Sequence, residues 1–183
     1  MKTQFYLIII AVILSSCEKS IYETANDYEI LIDESFEYEN IDEFFENTDW
    51  SGSGSIFPDA PKNSGDKSIQ LSTGWCPTRD LIETNITGLS NIQVLKLTLN
   101  YKFKDLNGTA KINLRNLNTY FGISHGISAS DTLWHEIILC DTLRFFINDS
   151  LSISLAASCN ELLSWRVLFD SVKLENLELK LIL

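Results

Sequence analysis

An all-β chain folded as an antiparallel β-sandwich is what the sequence predicts, on three observations. Apolar residues recur with a period of two through most of the chain after residue 28, the pattern of strands with one face buried and one face wet. Turn signals, Asn107-Gly108, Asn63-Ser64-Gly65 and Asn148-Asp149-Ser150, fall between the alternating runs. No segment keeps a helical period over eleven or more residues, and Ile41–Asn47 has room for one or two helical turns only.

The chain begins with a leader, "MKTQFYLIIIAVILSSC". Its apolar run, Phe5 to Leu14, has ten residues, whereas a helix needs about 20 to cross a bilayer. A lysine before it and two serines after it complete the pattern of a signal peptide. Residues Leu14-Ser15-Ser16-Cys17 resemble the lipobox of bacterial lipoproteins. The resemblance implies cleavage before Cys17, a diacylglyceryl thioether on its thiol and an acylated amino terminus. Several acyl chains hold a protein to a membrane far more firmly than one. The expected divisions are a signal peptide over 1–16, a lipidated tether over 17–27 and a sandwich domain over 28–183. The expected address is a bacterial cell envelope, and Glu18 and Lys19 lean it toward the outer membrane by partly resembling export signals of surface lipoproteins.

Charge is unevenly spread. The net charge is -11, and residues 18–49 hold twelve acids against Lys19 alone. Residues 50–183 hold thirteen acids and twelve bases. A nearly neutral body excludes nucleic acid as an expected partner, because phosphate binding needs a cationic surface. The acidic segment would be repelled by an anionic membrane face. It is too rich in large apolar residues from Tyr28 onward to be a solvated linker.

The strands follow in order. "EILIDESFE", "KSIQLST" and "LIETNITG" come first, and in "IQVLKLTLNYKFKD" the residues Leu95, Leu97, Leu99, Tyr101 and Phe103 alternate with Lys96, Thr98, Asn100, Lys102 and Lys104. "TAKINLRN" places Ala110, Ile112 and Leu114 inward, and "LSISLAAS" does so with Leu151, Ile153, Leu155 and Ala157. "TLWHEIIL", "WRVLFDSVKL" and "LELKLIL" complete the set. Once residues 1–16 are removed, 167 remain, a length that suits one domain.

The order of these features, from "SFE" through Trp50, "GDKSIQLST", the long alternating strand and "SLSISLAAS" to Phe169-Asp170-Ser171-Val172, resembles the galactose-binding-like jelly roll of many carbohydrate-binding modules. The resemblance covers residues 30 to 176. It implies a structural calcium held by Glu37 of "SFE", Asp66 of "GDKS" and Asp170 of "FDSV". Calcium takes six to eight oxygens, so carboxylates from distant strands converging on a loop are sensible ligands.

Sugar rings stack on aromatic faces with a few polar groups nearby. Trp75, in "STGWCPTRD" with Arg79 and Asp80, and Tyr120 with Phe121, in "NLNTYFGISHG" with Asn118 and His125, lie in turn-rich sequence. These are the candidate ligand-binding aromatics, with capping of the core as the alternative. Trp50, Trp134 and Trp165 sit beside strand patterns and are expected in the core. Beyond Cys17 the cysteines are Cys76, Cys140 and Cys159, enough for one disulfide in an oxidising compartment. Cys76 with Cys159 is the expected pair, since both lie in loop-like sequence, and Cys140 ends a strand.

Catalytic patterns are weak. The chain has two histidines, and "SGSGS" departs from the Gly-x-Ser-x-Gly elbow. No phosphate-cradling glycine loop is present. The expectation is a non-catalytic, lipid-anchored protein binding carbohydrate or another surface ligand. A structural or protein-partner module of an envelope complex is the alternative, with a small glycan-active enzyme third.

Overall fold

The structure, a computed structural model, describes residues 28–74, 79–158 and 164–177. Its elements are β1 (Tyr28–Glu34), α1 (Ile41–Asn47), β2 (Ser51–Gly52), β3 (Ser55–Phe57), β4 (Ser68–Ser72), β5 (Leu81–Ile86), β6 (Asn91–Phe103), β7 (Thr109–Asn116), β8 (Gly122–Ser128), β9 (His135–Phe145), β10 (Leu151–Ala157) and β11 (Arg166–Leu177). They form two antiparallel sheets. The first has the order β3-β4-β11-β6-β9 with β1 also on β11, and the second has the order β2-β5-β10-β7-β8. The expected β-sandwich is the fold.

Alternation along the strands builds the core. Leu95, Leu97 and Leu99 of β6, Ile112 and Leu114 of β7, and Ile153 and Leu155 of β10 are fully buried between the sheets. Each such side chain contributes about 1.5–3 kcal/mol relative to exposure. Under the sheets' edge, Phe36 meets Phe44 at 5.3 Å and Trp50 at 6.3 Å between ring centroids. α1 delivers Phe44 to this cluster. The Asn40 side chain caps that helix by accepting from the Glu43 N–H at 2.9 Å, and the Glu43 carboxylate accepts from the Glu39 N–H at 2.7 Å.

One edge of β11 is shared in succession. β4 pairs with Arg166–Phe169 and β1 pairs with Val172–Leu177, leaving Asp170 and Ser171 in the gap. The ladder to β6 slips between Asp170 and Lys173, and Ser171 has φ 52°. This is a bulge, which re-aims the side chains beside it.

Three expectations need correction. Gly122–Ser128 is a strand, although its sequence reads as a loop. Gly122 and Gly126 lower its strand propensity, yet Ile123, His125 and Ile127 still alternate inward opposite β7. Trp134 is half-buried outside the core, because its indole Nε1–H donates to Asp59 Oδ1 at 3.2 Å; Trp50 and Trp165 are in the core or beside it, as expected. Cys140 does not end its strand, since β9 runs on to Phe145. It is half-buried opposite Lys96 and is in a disulfide, so it is not the odd thiol. Cys17, Cys76 and Cys159 lie outside the described residues, as does the tail of "LELKLIL" beyond residue 177.

Candidate functional site

Strand register assembles a polar surface on the outer face of the second sheet. One row across it reads Asn85, Ser152, Arg115, Gly122. The next reads Ser51, Glu83, Ser154, Asn113, Ser124, and the third Leu81, Ala156, Lys111, Gly126. Within the middle row the Asn113 amide donates to Ser154 Oγ at 2.9 Å and its carbonyl accepts from Ser124 Oγ at 2.9 Å. Strands stand about 4.8 Å apart and same-face residues about 7 Å apart, so the face is a regular grid of donors and acceptors. Small side chains line its middle and Arg115, Lys111 and Glu83 rise around them. Among the described residues these three make no ion pair. Sequence reasoning missed this face, although polar Lys111, Asn113 and Arg115 at a period of two were its visible signal.

A second site lies in the gap along β11. Asp170 is fully buried, and its Oδ2 accepts from the Ser64 hydroxyl and, at 3.3 Å, from the Ser171 hydroxyl. Its Oδ1 is buried with no hydrogen-bond partner among the described residues. Burial pushes the Asp170 carboxyl above its usual value, with a smaller push from the nearby Glu37 charge, against the pull of the Ser64 and Ser171 hydrogen bonds. Glu37 Oε1 accepts from the Asp66 and Lys67 N–H groups, both at 3.0 Å. Gly65 sits against that carboxylate with φ 114°, and a Cβ there would collide with Glu37 Oε1. Glu37 and Asp170, expected as partners from the sequence, are thus brought together. Asp66 joins through its backbone and its side chain is exposed; among the described residues no three His, Cys, Asp or Glu side chains gather to hold a metal.

Tyr120 and Phe121 stand at the β7–β8 turn, 77% and 75% exposed. That turn and the β9–β10 loop share a buried polar knot. Asn116 donates to the Arg144 carbonyl at 2.9 Å and to Asp149 Oδ2 at 2.8 Å, Asn118 donates to Asp149 Oδ1 at 2.6 Å, and the Phe146 N–H donates to Asp149 Oδ2 at 2.9 Å. These bonds, the one from Phe146 foremost, hold the Asp149 carboxyl below its usual range. Beside the knot is a cleft of ≈ 510 Å³ lined by Phe121, Phe146, Arg144 and Asp141 among others. Trp75 lies outside the described residues. The Thr73–Arg79 bridge, which brackets residues 74–78 in the chain, is beside Trp165, whose indole donates to the Thr109 carbonyl at 3.0 Å. Thr109 starts β7 and Asn116 ends it, so the bracket and Tyr120 are roughly 23 Å apart along the strand.

The two histidines do not form a pair. His125 lies inward on β8 opposite Ile112, and His135 meets Asp131 at 2.7 Å at the start of β9.

No protein-family model matches the chain, and no curated protein matches it. Solved structures do. The chain is similar to the CBM22-1 xylan-binding domain from Paenibacillus barcinonensis Xyn10C, with 14% identity over 83% of this chain and 97% of that one and a TM-score of 0.52. It is also similar to a xylan-binding domain from CBM 22, with 8% identity, coverage of 84% and 97%, and a TM-score of 0.50. A third similarity is to the enzymatically active domain of bacteriophage CBA120 tailspike protein 4, with 14% identity over 71% of this chain but 20% of that one and a TM-score of 0.55. At these identities the likeness establishes the fold, a two-sheet sandwich matching the jelly rolls of carbohydrate-binding modules.

Proposed function

We propose that this chain is a lipid-anchored protein of a bacterial envelope, with Glu18 and Lys19 favouring the outer membrane as its address, and that its sandwich binds carbohydrate without cleaving it. The observation that carries the binding reading is the open polar grid on the second sheet, where Ser154, Asn113 and Ser124 are already linked and Arg115, Lys111 and Glu83 have no ion pair among the described residues. Such a surface offers an extended, hydroxyl-rich chain many hydrogen bonds at a fixed spacing. The xylan-binding domains of like fold support the same reading. Glycoside cleavage uses a pair of carboxylates, and the rows of this face hold one, Glu83. Trp75 remains the aromatic assigned to stacking, whereas the expected Cys76–Cys159 pairing is given up, because Cys140 is in a disulfide and a lipidated Cys17 leaves it only Cys76 or Cys159 as partner. The lipid anchor rests on Leu14-Ser15-Ser16-Cys17 behind the apolar run.

A structural calcium belongs to the same reading. The buried Oδ1 of Asp170, the Glu37 carboxylate and the Ser64 hydroxyl are hard oxygen donors of the kind calcium takes. Carbonyls of the 58–67 loop would supply the rest. The ion would fasten that loop to β11 and neutralise a carboxylate that burial now disfavours.

A glycan array probed with the chain from Glu18 onward, in calcium and in chelator, tests the proposal. Binding that is lost on Asn113→Ala with Arg115→Ala is the expected result. A folded, monomeric sample that binds no glycan, or whose binding ignores both changes, refutes it. A melting temperature that rises with calcium in the wild type but not in Asp170→Asn is the expected sign of the metal.

A further inference from the structure

Exposed apolar side chains are gathered at one end of the sandwich. Of the eleven large apolar residues exposed among the described residues, Ile92, Leu117, Tyr120, Phe121, Phe146 and Ile147 lie at this end, whereas Leu106 and Leu133 mark the other. Register places them together. Ile92 is opposite Arg144, Leu117 N–H donates to the Ser150 carbonyl at 2.9 Å, and the Asn116–Asp149 knot ties the two tips. The tips are therefore held out by a buried polar network rather than left loose. Tyr120 is kept at φ 58°, an uncommon conformation for a bulky side chain, which presents its ring to solvent. Ile147 is 89% exposed at the apex of its loop. A concentrated apolar surface of this kind marks a protein or membrane contact.

The entry point of the chain chooses between these. Tyr28, the first residue of β1, pairs with Leu177, which pairs with Val94, which pairs with Thr142. The Asn91–Phe145 pair lies three residues beyond that row toward the apolar tips, roughly 10 Å further on. The proposed anchor, Cys17, precedes Tyr28 by eleven residues, a span of at most about 40 Å when extended. The apolar end is thus the end at which β1 begins, and it is within reach of the bilayer that would hold the lipid. Exposed loop tips bearing Tyr, Phe and Ile, with Arg144 stacked 4.9 Å from the Phe146 ring, have the chemistry of a surface that enters the interfacial layer, where aromatic rings settle and an arginine reaches back to water.

We propose that the tips of the β7–β8 turn and the β9–β10 loop dock on the lipid bilayer, seating the sandwich end-on so that the polar face of the second sheet stands clear of the membrane. Tyr120 and Phe121, expected from the sequence as sugar-stacking residues, are assigned here to lipid. The inference rests on the lipid-anchor reading, and the test separates the two.

Tryptophan is introduced at the tips by Ile147→Trp and Tyr120→Trp and at the opposite end by Leu133→Trp, all at exposed positions. The chain from Glu18 onward is attached through an amino-terminal histidine tag to phosphatidylcholine vesicles containing a nickel-chelating lipid, with and without brominated acyl chains. Attachment then does not depend on Cys17. Docking predicts that bromine removes most of the emission added at 147 and 120 and none of that added at 133. Equal quenching at all three positions, or none at the tips, overturns it and leaves the tips to a protein partner. Palmitate labelling of the full chain, compared with Cys17→Ser, reads the anchor separately. Tip quenching without a label upholds docking and overturns the anchor, whereas a label without tip quenching overturns docking and upholds the anchor.

Discussion

The two outer faces of the sandwich are both polar, yet they spend their charges differently. On the first sheet, Lys96 and Lys173 reach Glu175 at 3.0 and 2.8 Å, and Lys102 and Lys104 reach Asp59 at 2.9 and 3.9 Å. Trp134 adds a hydrogen bond to Asp59, and Lys104 lies 4.3 Å from the Phe57 ring. On the second sheet, Lys111, Arg115 and Glu83 make no ion pair among the described residues. A charge already paired across strands stabilises the sheet it stands on. A charge left unpaired beside small hydroxyl and amide groups is available to a ligand. The comparison teaches that the first face is fastened and the second is open.

Glu175→Ala should break this contrast most severely. Its carboxylate is buried, so removing it strands two lysines, and we expect a loss of about 2–3 kcal/mol in chemical denaturation with glycan binding intact. The double change Asn113→Ala with Arg115→Ala should do the reverse. Binding to whichever glycan the array identifies should fall at least about tenfold, or 1.4 kcal/mol, while stability moves by no more than about 0.5 kcal/mol per site. Unchanged affinity, or a large loss of stability, would show that the second face is structural too.

Acid sharpens the contrast further. Burial would raise the carboxyls of Asp59 and Glu175, but the hydrogen bonds from Lys102 and Trp134, and from Lys173 and Lys96, outweigh it and hold both below their usual values. Their contribution is fully present above the unfolded values of 3.8 and 4.5 and is lost as pH falls through the lowered folded values. Asp170 has the opposite sign, because its folded value is raised. In chelator it costs stability above that raised value, and the cost is relieved as pH falls through it toward 3.8. Thermal melts from neutral pH downward should therefore show Asp170→Asn less responsive than wild type in that window, and Asp59→Asn less responsive below it. The smallest effect belongs to the exposed pair Lys67–Glu39, 3.1 Å apart. Glu39→Gln should shift stability by no more than about 0.5 kcal/mol, a useful baseline for the buried carboxylates.

Much of this architecture is written locally. β7 spans Thr109–Asn116, the run predicted from "TAKINLRN", and α1 spans Ile41–Asn47, where the capping residues stand ready. Side-chain alternation and helix capping are set by neighbours a few residues away, so one sequence suffices to read them. Glu37 and Asp170 were named for a different reason, the resemblance of their flanking motifs, and the fold puts the Glu37 charge near enough to act on the Asp170 carboxyl.

What the strands do to one another was decided only on folding. Lys96 and Lys111 both sit at outward positions of alternating strands, and nothing in their flanking residues tells them apart. Register places Glu175 opposite Lys96 and Ala156 and Gly126 opposite Lys111. The same long-range pairing makes Gly122–Ser128 a strand despite its glycines and moves Trp134 out to Asp59. The sequence by itself determined which residues face inward, because side-chain direction is local. Which charges are paired and which stand unpaired among the described residues was settled by the fold, because partners across a sheet are distant in the chain and are fixed only when every strand takes its register.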